Sequence, residues 1–422
     1  HRPNGRKKVC SSELISDRLI SYNSGQGFLN TMSKAVPTTE IDQRLHNLRV
    51  RLEKQGIDGA LLLYPIDVYY FTGARQNSAL WVPVEGRPTL FVKKSFQRAL
   101  KDSLIEDVRP FPARMEMPAF FGNAAIRIGL TFDVLPVQQY HFYSNILTGK
   151  EFIDISAINR ELRSIKSAWE IEQMRTSAKI LCDVFAKVPD ILKRGMRELD
   201  LAAEFEYLLR KSGSDGYLRI RAFHQEIMGL AVSGENAAME GCFDGAVTGK
   251  GLSRAAPYGS SIKPMREGEP IMIDYGLIYN GYIVDMTRIF AFGGLDPDLE
   301  RAFSLSIEIQ KWLQENLRPG NVCEELFTGA SSLAASAGLA DNFMGYSSER
   351  AKFVGHGVGL ELDEFPVLAQ KFKSLIAAGH TIAIEPKFVF PEEGAVGIEN
   401  TYAVTNSGCE RLTLLPDDPV YL

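Results

Sequence analysis

IMIDYGLIYNGYIVDMTR occupies residues 271–288, and Asn280-Gly281 separates its two apolar runs. An Asn-Gly pair between apolar runs predicts a β-hairpin with a tight turn. One carboxylate interrupts each run, Asp274 in the first and Asp285 in the second. Because burying a carboxylate is costly unless it is paired, hydrogen-bonded or bound to a cation, the hairpin indicates a metal site. The alternative is that both aspartates lie in turns or cap helices, where Asp is common.

Composition limits the classes of protein to which this chain can belong. Its 422 residues suffice for two or three domains. Its net charge of −5, without a long Lys/Arg stripe, gives no electrostatic case for nucleic-acid binding. No apolar run approaches the roughly 18 residues that span a bilayer, so we expect no membrane segment. The five cysteines are scattered and form no Cys-x-x-Cys pair, which favours a reducing compartment, and we expect a cytoplasmic protein.

The pattern of apolar residues predicts a tail and two domains. Residues 1–37 are polar and aperiodic and lack the apolar core of a signal peptide, so we expect them to be poorly ordered. Met32 is a candidate for the natural first residue. Residues 38–157 predict an α/β domain, and residues 158–422 predict a second domain whose tail forms antiparallel strands. We place the boundary where a long, charged amphipathic segment begins, at Ile158.

An aromatic segment of the first domain, Tyr69-Tyr70-Phe71-Thr72-Gly73, is predicted to be a loop. Core packing is the favoured explanation of its aromatic residues. The alternative is a wall of the substrate site, with Tyr70 as a substrate contact. In the second domain, residues 243–264 are rich in Gly, Ser and Pro and predict a longer loop.

Three more polar residues lie in apolar or glycine-rich surroundings. His356 lies between two glycines, Glu385 ends an apolar strand, and Glu399 interrupts another apolar run. A lone His is more often structural than a metal ligand. Clustered carboxylates without cations repel one another and take up protons, whereas two divalent ions about 3.5 Å apart would neutralise them. Oxygen ligands with one imidazole favour Mn²⁺, Zn²⁺, Co²⁺ or Fe²⁺.

The order and spacing of these residues resemble the pita-bread metallopeptidases, which include aminopeptidase P, proline dipeptidase, methionine aminopeptidase and the metal-free relative creatinase. The matching motifs are Asp274-x-Gly276-x4-Gly281-Tyr282-x2-Asp285-x-Thr287-Arg288, Gly355-His356-Gly357-x-Gly359-Leu360, Glu385-Pro386 and Ile398-Glu399. The resemblance extends from about Ile41 onward. It implies an α/β two-domain protein, with a creatinase-like amino-terminal domain followed by a pita-bread catalytic domain of α+β type.

The resemblance also implies a role for each predicted ligand. Asp274 would bind one ion alone, and His356 with Glu385 would hold the other. Asp285 and Glu399 would bridge both ions, with a hydroxide between them. Bridging lowers the pKa of a water molecule and makes it a nucleophile at neutral pH.

Two further implications concern the surroundings of the ions. Glu385 is placed to take or pass a proton, and Thr287 is placed to donate a hydrogen bond to a bridging carboxylate. We also expect a homodimer, because the two-domain relatives commonly close the active site with the first domain of the partner.

Three positions depart from the family pattern. Gly241 and Asp363 stand where the peptidases usually carry histidines, and Gly397 stands where the proline-specific enzymes commonly carry an arginine. Losing such hydrogen-bond donors costs about 10²-fold or more each in rate. Asp363, Glu240 and His224 are candidate replacements, of which Asp363 is favoured as a substrate-binding and catalytic residue. A carboxylate there favours a cationic group on the substrate.

The sequence therefore predicts a dinuclear metallopeptidase that cleaves short peptides, as an Xaa-Pro dipeptidase or aminopeptidase. The alternative, motivated by the three departures, is a metal-dependent hydrolase or lyase of a small non-peptide metabolite on the same fold. A non-enzymatic binding module is the third hypothesis, and the complete ligand set argues against it.

Overall fold

The computed structural model describes residues 35–122, 124–216, 218–222 and 227–422. The predicted poor order of the amino-terminal tail falls on residues 1–34, outside this part of the chain, and helix begins at Thr38. The α-helices are α1 (Thr38–Lys54), α2 (Pro65–Thr72), α3 (Phe96–Asp102), α4 (Met117–Phe121), α5 (Val137–Ile146), α6 (Ser156–Ser164), α7 (Ala168–Phe185), α8 (Val188–Ile191), α9 (Glu198–Lys211), α10 (Pro297–Asn316) and α11 (Cys323–Ser336).

Within the described residues, the strands form one sheet in the first half of the chain and three in the second half. They are β1 (Gly59–Leu62), β2 (Ser78–Pro83), β3 (Thr89–Val92), β4 (Asp107–Pro110), β5 (Arg127–Leu130), β6 (Glu151–Asp154), β7 (Leu230–Ser233), β8 (Ile271–Tyr279), β9 (Tyr282–Ala291), β10 (Phe353–Gly357), β11 (Glu364–Ala369), β12 (Thr381–Ile384), β13 (Lys387–Phe390), β14 (Gly394–Gly397), β15 (Asn400–Val404), β16 (Cys409–Arg411) and β17 (Val420–Tyr421).

The first sheet has six strands in the order β4-β3-β2-β1-β5-β6. It is mixed, since β1–β2 and β2–β3 are antiparallel while β3–β4, β1–β5 and β5–β6 are parallel. Helix α1 buries Leu45, Leu48 and Leu52, which are spaced three to four residues apart as an amphipathic helix requires. The predicted α/β character of this part of the chain is confirmed.

The predicted hairpin is formed by β8 and β9, which pair without interruption from Ile271–Phe290 to Tyr279–Tyr282. Asn280 and Gly281 connect the strands with φ values of 48° and 85°. Positive φ at both central residues is the requirement of the tight turn that matches the twist of a hairpin, and Asn-Gly meets it. The hairpin is the centre of a four-stranded sheet in the order β17-β9-β8-β7.

Both faces of the hairpin are covered, which explains its nearly continuous apolar sequence. Ile273 and Val284 lie on the face that packs in the core shared with α7 and α9. Met272 and Ile289 lie on the opposite face, in the core shared with α10, α11 and the carboxyl-terminal strands. A polar side chain on either face is therefore enclosed by protein.

The carboxyl-terminal tail forms a five-stranded sheet in the order β11-β10-β12-β15-β16 and a separate pair, β13-β14. The tail strands are antiparallel, as predicted. Thr401 of β15 ties this sheet to the hairpin, because the Asp285 N–H donates to its Oγ1 and its hydroxyl donates to the Asp285 carbonyl, both at 2.9 Å. The two sheets therefore meet at Asp285.

The aromatic segment near residue 70 differs from the prediction. It is the end of helix α2, which stops at Gly73 with a φ of 73°. Tyr70 is only 4% exposed, and the Arg44 guanidinium lies 4.2 Å from its ring centroid. The side chain belongs to the core, so its position contradicts the alternative of a substrate contact.

The long amphipathic segment from Ile158 to Phe185 is interrupted. It consists of α6 and α7, and the second helix begins at a capping box. The Glu170 N–H donates to Ser167 Oγ at 3.2 Å, and the Ser167 N–H donates to Glu170 Oε2 at 3.0 Å. A Ser followed three residues later by Glu is a sequence signature of a helix start, and it lies within the segment.

Candidate metal centre

The hairpin register places Asp274 and Asp285 on the same face. Asp274 pairs with Thr287, and Asp285 pairs with Gly276. Since side chains alternate between the faces of a strand, these four residues share one face and the two aspartates are diagonal neighbours. They point to the side on which the five-stranded sheet lies.

The other predicted ligands lie on that five-stranded sheet or directly beside the ends of its strands. His356 lies on β10 and pairs with Ala383 of β12, while Glu385 directly follows β12. Glu399 directly precedes β15 and forms an isolated bridge with Thr287 of the hairpin. All five predicted ligands line one cleft.

Three of the five ligands are close enough to hold a single ion. Asp285, His356 and Glu399 each offer one ligand atom, and these atoms lie within 4.8 Å of one another. His356 Nδ1 lies 3.0 Å from the Leu362 carbonyl oxygen, so an N–H there donates to the backbone. The Nε2 atom is then free to act as a ligand, and it faces Glu399 Oε1 at 4.0 Å and Glu385 Oε1 at 3.6 Å.

The electrostatics of the cleft favour a bound cation. Burial raises the pKa of Asp285 well above its ordinary value, and the carboxylates of Glu399 and Asp274 raise it further. Burial also raises the pKa of Glu399 to about 8, although Lys387 opposes the change. A divalent cation would offset both causes, the burial of these charges and the repulsion between them. The donor set of two carboxylates and one imidazole thus fits a divalent ion.

Sequence reasoning missed Lys387, which lies inside the cleft. Its ammonium donates to Glu385 Oε2 at 2.7 Å, to Asp274 Oδ2 at 2.8 Å and to Glu399 Oε2 at 3.3 Å. Burial opposes its charge, but these three carboxylates outweigh burial and raise the pKa of Lys387 well above its ordinary value. A sequence signal existed, because this lysine stands in an otherwise apolar strand, which makes it as anomalous as the aspartates.

Thr287 has the contact that its predicted role requires. Its Oγ1 donates to Glu399 Oε2 at 2.8 Å, and both residues are fully buried. The same glutamate oxygen also accepts from Lys387. The orientation of the Glu399 carboxylate is therefore set by two donors on its Oε2 side.

Asp363 lies at the mouth of the cleft, with 45% of its side chain exposed. Its Oδ1 is 3.4 Å from His356 Nδ1, on the side of the ring that faces away from the three-ligand group. Asp244, which sequence reasoning did not single out, is exposed and lines the same cleft. Glu240 is exposed and is not among the described residues that line the cleft, and His224 lies outside the described residues.

Gly241 occupies a position that has no room for a side chain. A Cβ there would lie 2.0 Å from Thr248 Oγ1, so a larger residue would require Thr248 to move. The space in which the resemblance predicts a histidine is thus partly filled by a threonine.

A buried ionic cluster anchors the loop that carries Asp363. The Arg163 guanidinium bridges Asp67 of α2, at 3.1 Å, and Glu361 of the loop, at 2.7 Å. Lys166 lies 2.9 Å from Glu364, and together with Arg163 it overcomes the effect of burial and holds the pKa of Glu364 at about 2. Asp363 therefore lies between two fixed carboxylates.

Comparisons with known proteins match most of the described residues. The family model described as Metallopeptidase family M24 matches residues 172–406, and that of the Creatinase/Prolidase N-terminal domain matches residues 44–165. The chain is 28% identical over 375 residues to an Xaa-Pro dipeptidase of Pyrococcus furiosus, covering 88% of this chain and 97% of that protein.

Solved structures of peptidases also match this chain over most of its length. The prolidase from Pyrococcus horikoshii OT3 aligns with a TM-score of 0.76 at 25% identity, over 89% of this chain and 99% of that chain. An Xaa-Pro dipeptidase from Bacillus anthracis aligns with a TM-score of 0.79 at 23% identity, over 90% and 100%. The predicted resemblance and the predicted two-domain fold, creatinase-like followed by pita-bread, are confirmed.

Proposed function

The chain belongs to metallopeptidase family M24, and from that premise we propose that it hydrolyses short peptides as an Xaa-Pro dipeptidase or aminopeptidase. One observation carries the proposal: the five residues predicted as metal ligands from four separate motifs line a single cleft. A metallohydrolase needs such a donor set beside an open space for its substrate. Relatives named Xaa-Pro dipeptidase support the substrate class.

In this proposal Asp285, His356 and Glu399 hold a divalent ion. When bound, the ion supplies a water molecule of lowered pKa and polarises the scissile carbonyl. Glu385 lies next to that position, with Oε1 3.6 Å from His356 Nε2. Glu385 therefore accepts the proton of the attacking water at Oε1 and passes it to the leaving amine. The Thr287 hydroxyl keeps Glu399 in its orientation.

The resemblance implies a finer form of this proposal, with two ions and a hydroxide between them. In that form Asp274 and Glu385 also bind metal, and Asp285 and Glu399 bridge. It requires Asp274, Glu385 and Glu399 to release the Lys387 ammonium. Both forms need at least one ion, so a chelator abolishes activity in either.

The cleft supports a short substrate with an apolar side chain and a free amino end. Its wall includes Ile220, Leu230 and Phe353, which provide an apolar surface beside the ligands. Asp363 and Asp244 line the same cleft and carry the charge that attracts an ammonium group. Asp363 in this role binds the amino terminus of the substrate.

A small non-peptide metabolite remains the second candidate substrate, and specific observations favour it. Gly241 and Gly397 are each too crowded for a side chain, with Cβ contacts at 2.0 Å and 2.7 Å. The donors that the peptidases usually place at these positions are therefore missing. A cationic amide or a similar metabolite would fit the acidic mouth of the cleft as well as a peptide does.

The test is turnover by protein loaded with Mn²⁺, Co²⁺ or Zn²⁺ against a panel of Xaa-Pro dipeptides, other dipeptides and small non-peptide amides. We expect Xaa-Pro cleavage that a chelator abolishes and that Asp285→Asn reduces by about 10³-fold or more. Asp418→Asn, an exposed carboxylate on the terminal segment, is the matched control. Cleavage of amides without any dipeptide turnover would replace the first proposal by the second.

The remaining expectations concern compartment and assembly. Cys182, Cys242, Cys323 and Cys409 are free thiols in the described part of the chain. The reducing, cytoplasmic environment stays a prediction. Among the described residues, no helix combines the length and the apolar character that crossing a bilayer requires. A homodimer and the lack of a nucleic-acid partner stay predictions, and light scattering of the purified protein tests the first.

A further inference from the structure

We propose that the Lys387 ammonium takes the place of one of the two divalent ions, so that the centre binds a single ion at Asp285, His356 and Glu399. The inference rests on the proposed metal-dependent function and deepens it. The resemblance implies a centre with two divalent ions. The inference gives instead a centre with one exchangeable divalent ion and the Lys387 ammonium as the second cation.

The position of the ammonium carries the inference. Lys387 Nζ lies between three carboxylate oxygens, at 2.7 Å from Glu385, 2.8 Å from Asp274 and 3.3 Å from Glu399. A divalent ion binds carboxylate oxygens at about 2.0–2.2 Å. An ion bound to these same oxygens would therefore lie within van der Waals contact of Nζ. Two cations cannot occupy that space together.

The strand pairing shows that this lysine is built into the fold. Lys387 lies opposite Gly397 in the β13–β14 pair, and its side chain is only 3% exposed. A Cβ at position 397 would lie 2.7 Å from both Lys387 Cα and Lys387 Cγ. The glycine thus leaves the space that the lysine needs.

The same pairing accounts for one departure from the family pattern. The resemblance leads to an arginine at position 397, and this chain has glycine there with lysine on the facing strand. A basic side chain is still present in this strand pair. In this chain it lies on β13 and donates to Asp274.

The ligand atoms that Lys387 does not contact form a three-residue site for one ion. Glu399 accepts from Lys387 and Thr287 at Oε2, and its Oε1 faces His356 Nε2. Asp285 is not among the carboxylates that accept from Lys387 in the described contacts. Asp285, His356 and Glu399 also form the three-residue group whose ligand atoms lie within 4.8 Å of one another.

Charge leads to the same count. Asp274, Asp285, Glu385 and Glu399 carry four negative charges when ionised, and Lys387 balances one of them. One divalent ion leaves one net negative charge, which suits a site that also binds a water molecule. Two divalent ions beside Lys387 would bring five positive charges to four carboxylates, and the two-ion form would then need its hydroxide to balance the charge.

The test counts ions without measuring turnover. Full-length protein is stripped with a chelator, titrated with Mn²⁺ by calorimetry, and analysed for bound metal after gel filtration. We expect one Mn²⁺ per chain for the wild type and for Asp274→Asn, with affinities within about tenfold. Lys387→Ala frees the second position and binds two ions, whereas His356→Ala binds none. Lys263→Ala, which removes a lysine paired with Glu269 outside the cleft, is the matched control and binds one.

A wild type that binds two ions overturns the inference, and so does an Asp274→Asn protein that loses an ion. If Lys387→Ala does not fold, electron paramagnetic resonance of the Mn²⁺-loaded wild type decides, since a lone ion gives an uncoupled six-line spectrum and a pair gives a coupled one. One bound ion without peptide turnover would contradict the proposed function and leave the inference standing. Two bound ions with peptide turnover would contradict the inference and leave the proposed function standing.

Discussion

Lys387 and Gly397 face each other across β13 and β14, and the lysine stem fills the space that a side chain at position 397 would need. We therefore expect Gly397→Ala to lower the free energy of unfolding by about 1–3 kcal/mol, because its Cβ would lie 2.7 Å from Lys387 and from the Pro386 carbonyl oxygen. Urea denaturation measures the change. Gly408→Ala is the control, since no atom lies near its Cβ position, and equal effects of the two changes would contradict this relationship.

The hydrogen bond from Thr287 to Glu399, at 2.8 Å, gives a second prediction. Thr287→Val removes the donor and keeps the shape, so we expect the affinity for Mn²⁺ to fall by about 10- to 100-fold. Thr287→Ser restores the hydroxyl and should bind within a few-fold of the wild type. An unchanged Mn²⁺ affinity in the valine variant, measured by calorimetry, would show that Glu399 needs no help from Thr287.

Arg163 connects Asp67 to Glu361 inside the protein, where all three side chains are nearly inaccessible. Arg163→Met leaves Asp67 and Glu361 with Arg221 as their remaining cation, at 3.0 Å and 3.6 Å. We therefore expect the free energy of unfolding to fall by about 3 kcal/mol, the lower end of the cost of breaking a buried pair. The comparison is Arg98→Met, which breaks a pair that is largely exposed to solvent. That change should cost at most about 1 kcal/mol in the same denaturation experiment. Similar losses would argue against a structural role for the buried cluster.

His380 predicts a specific loss of stability in acid. Burial and the charge of Lys166 lower its pKa from the ordinary 6.5 to about 4, and its Nδ1 accepts from the Ala377 N–H. A histidine with a lowered pKa stabilises the fold above pH 6.5, and this contribution is lost as the pH falls toward 4. The loss amounts to about 3 kcal/mol for a shift of this size.

The variant His380→Asn tests this assignment, because its side chain keeps an acceptor near the Nδ1 position and does not titrate. The wild type should lose more unfolding free energy than the variant between pH 6.5 and pH 4. Parallel pH profiles of the two proteins would mean that another group causes the acid sensitivity.

Much of the site was predictable from sequence because its residues break local patterns. Asp274 and Asp285 interrupt apolar runs, and the Asn-Gly turn fixes the register that puts them on one face. His356, Glu385 and Glu399 were identified in the same way and line the same cleft. The positions of these residues in the sequence were enough to identify them, because each strand or strand end contributes one ligand to the cleft.

What the sequence did not reveal depends on contacts between distant strands. Lys387 begins the otherwise apolar strand β13, but its position opposite Gly397 becomes visible only when β13 and β14 are paired. Tyr70 was ambiguous for a similar reason, since the residues that cover it, Arg44 of α1 among them, are distant in the sequence. The interruption between α6 and α7 had a local signal at Ser167, which the longer amphipathic pattern concealed.

The central claim is that the Lys387 ammonium takes the place of one divalent ion, so that the centre binds a single ion. The most direct measurement is an anomalous difference map, collected at the manganese absorption edge from crystals grown with saturating Mn²⁺. We predict one peak, between Asp285, His356 and Glu399, with the Lys387 ammonium still between Asp274 and Glu385. Two peaks a few ångströms apart, with the lysine turned out of the cleft, would contradict the claim.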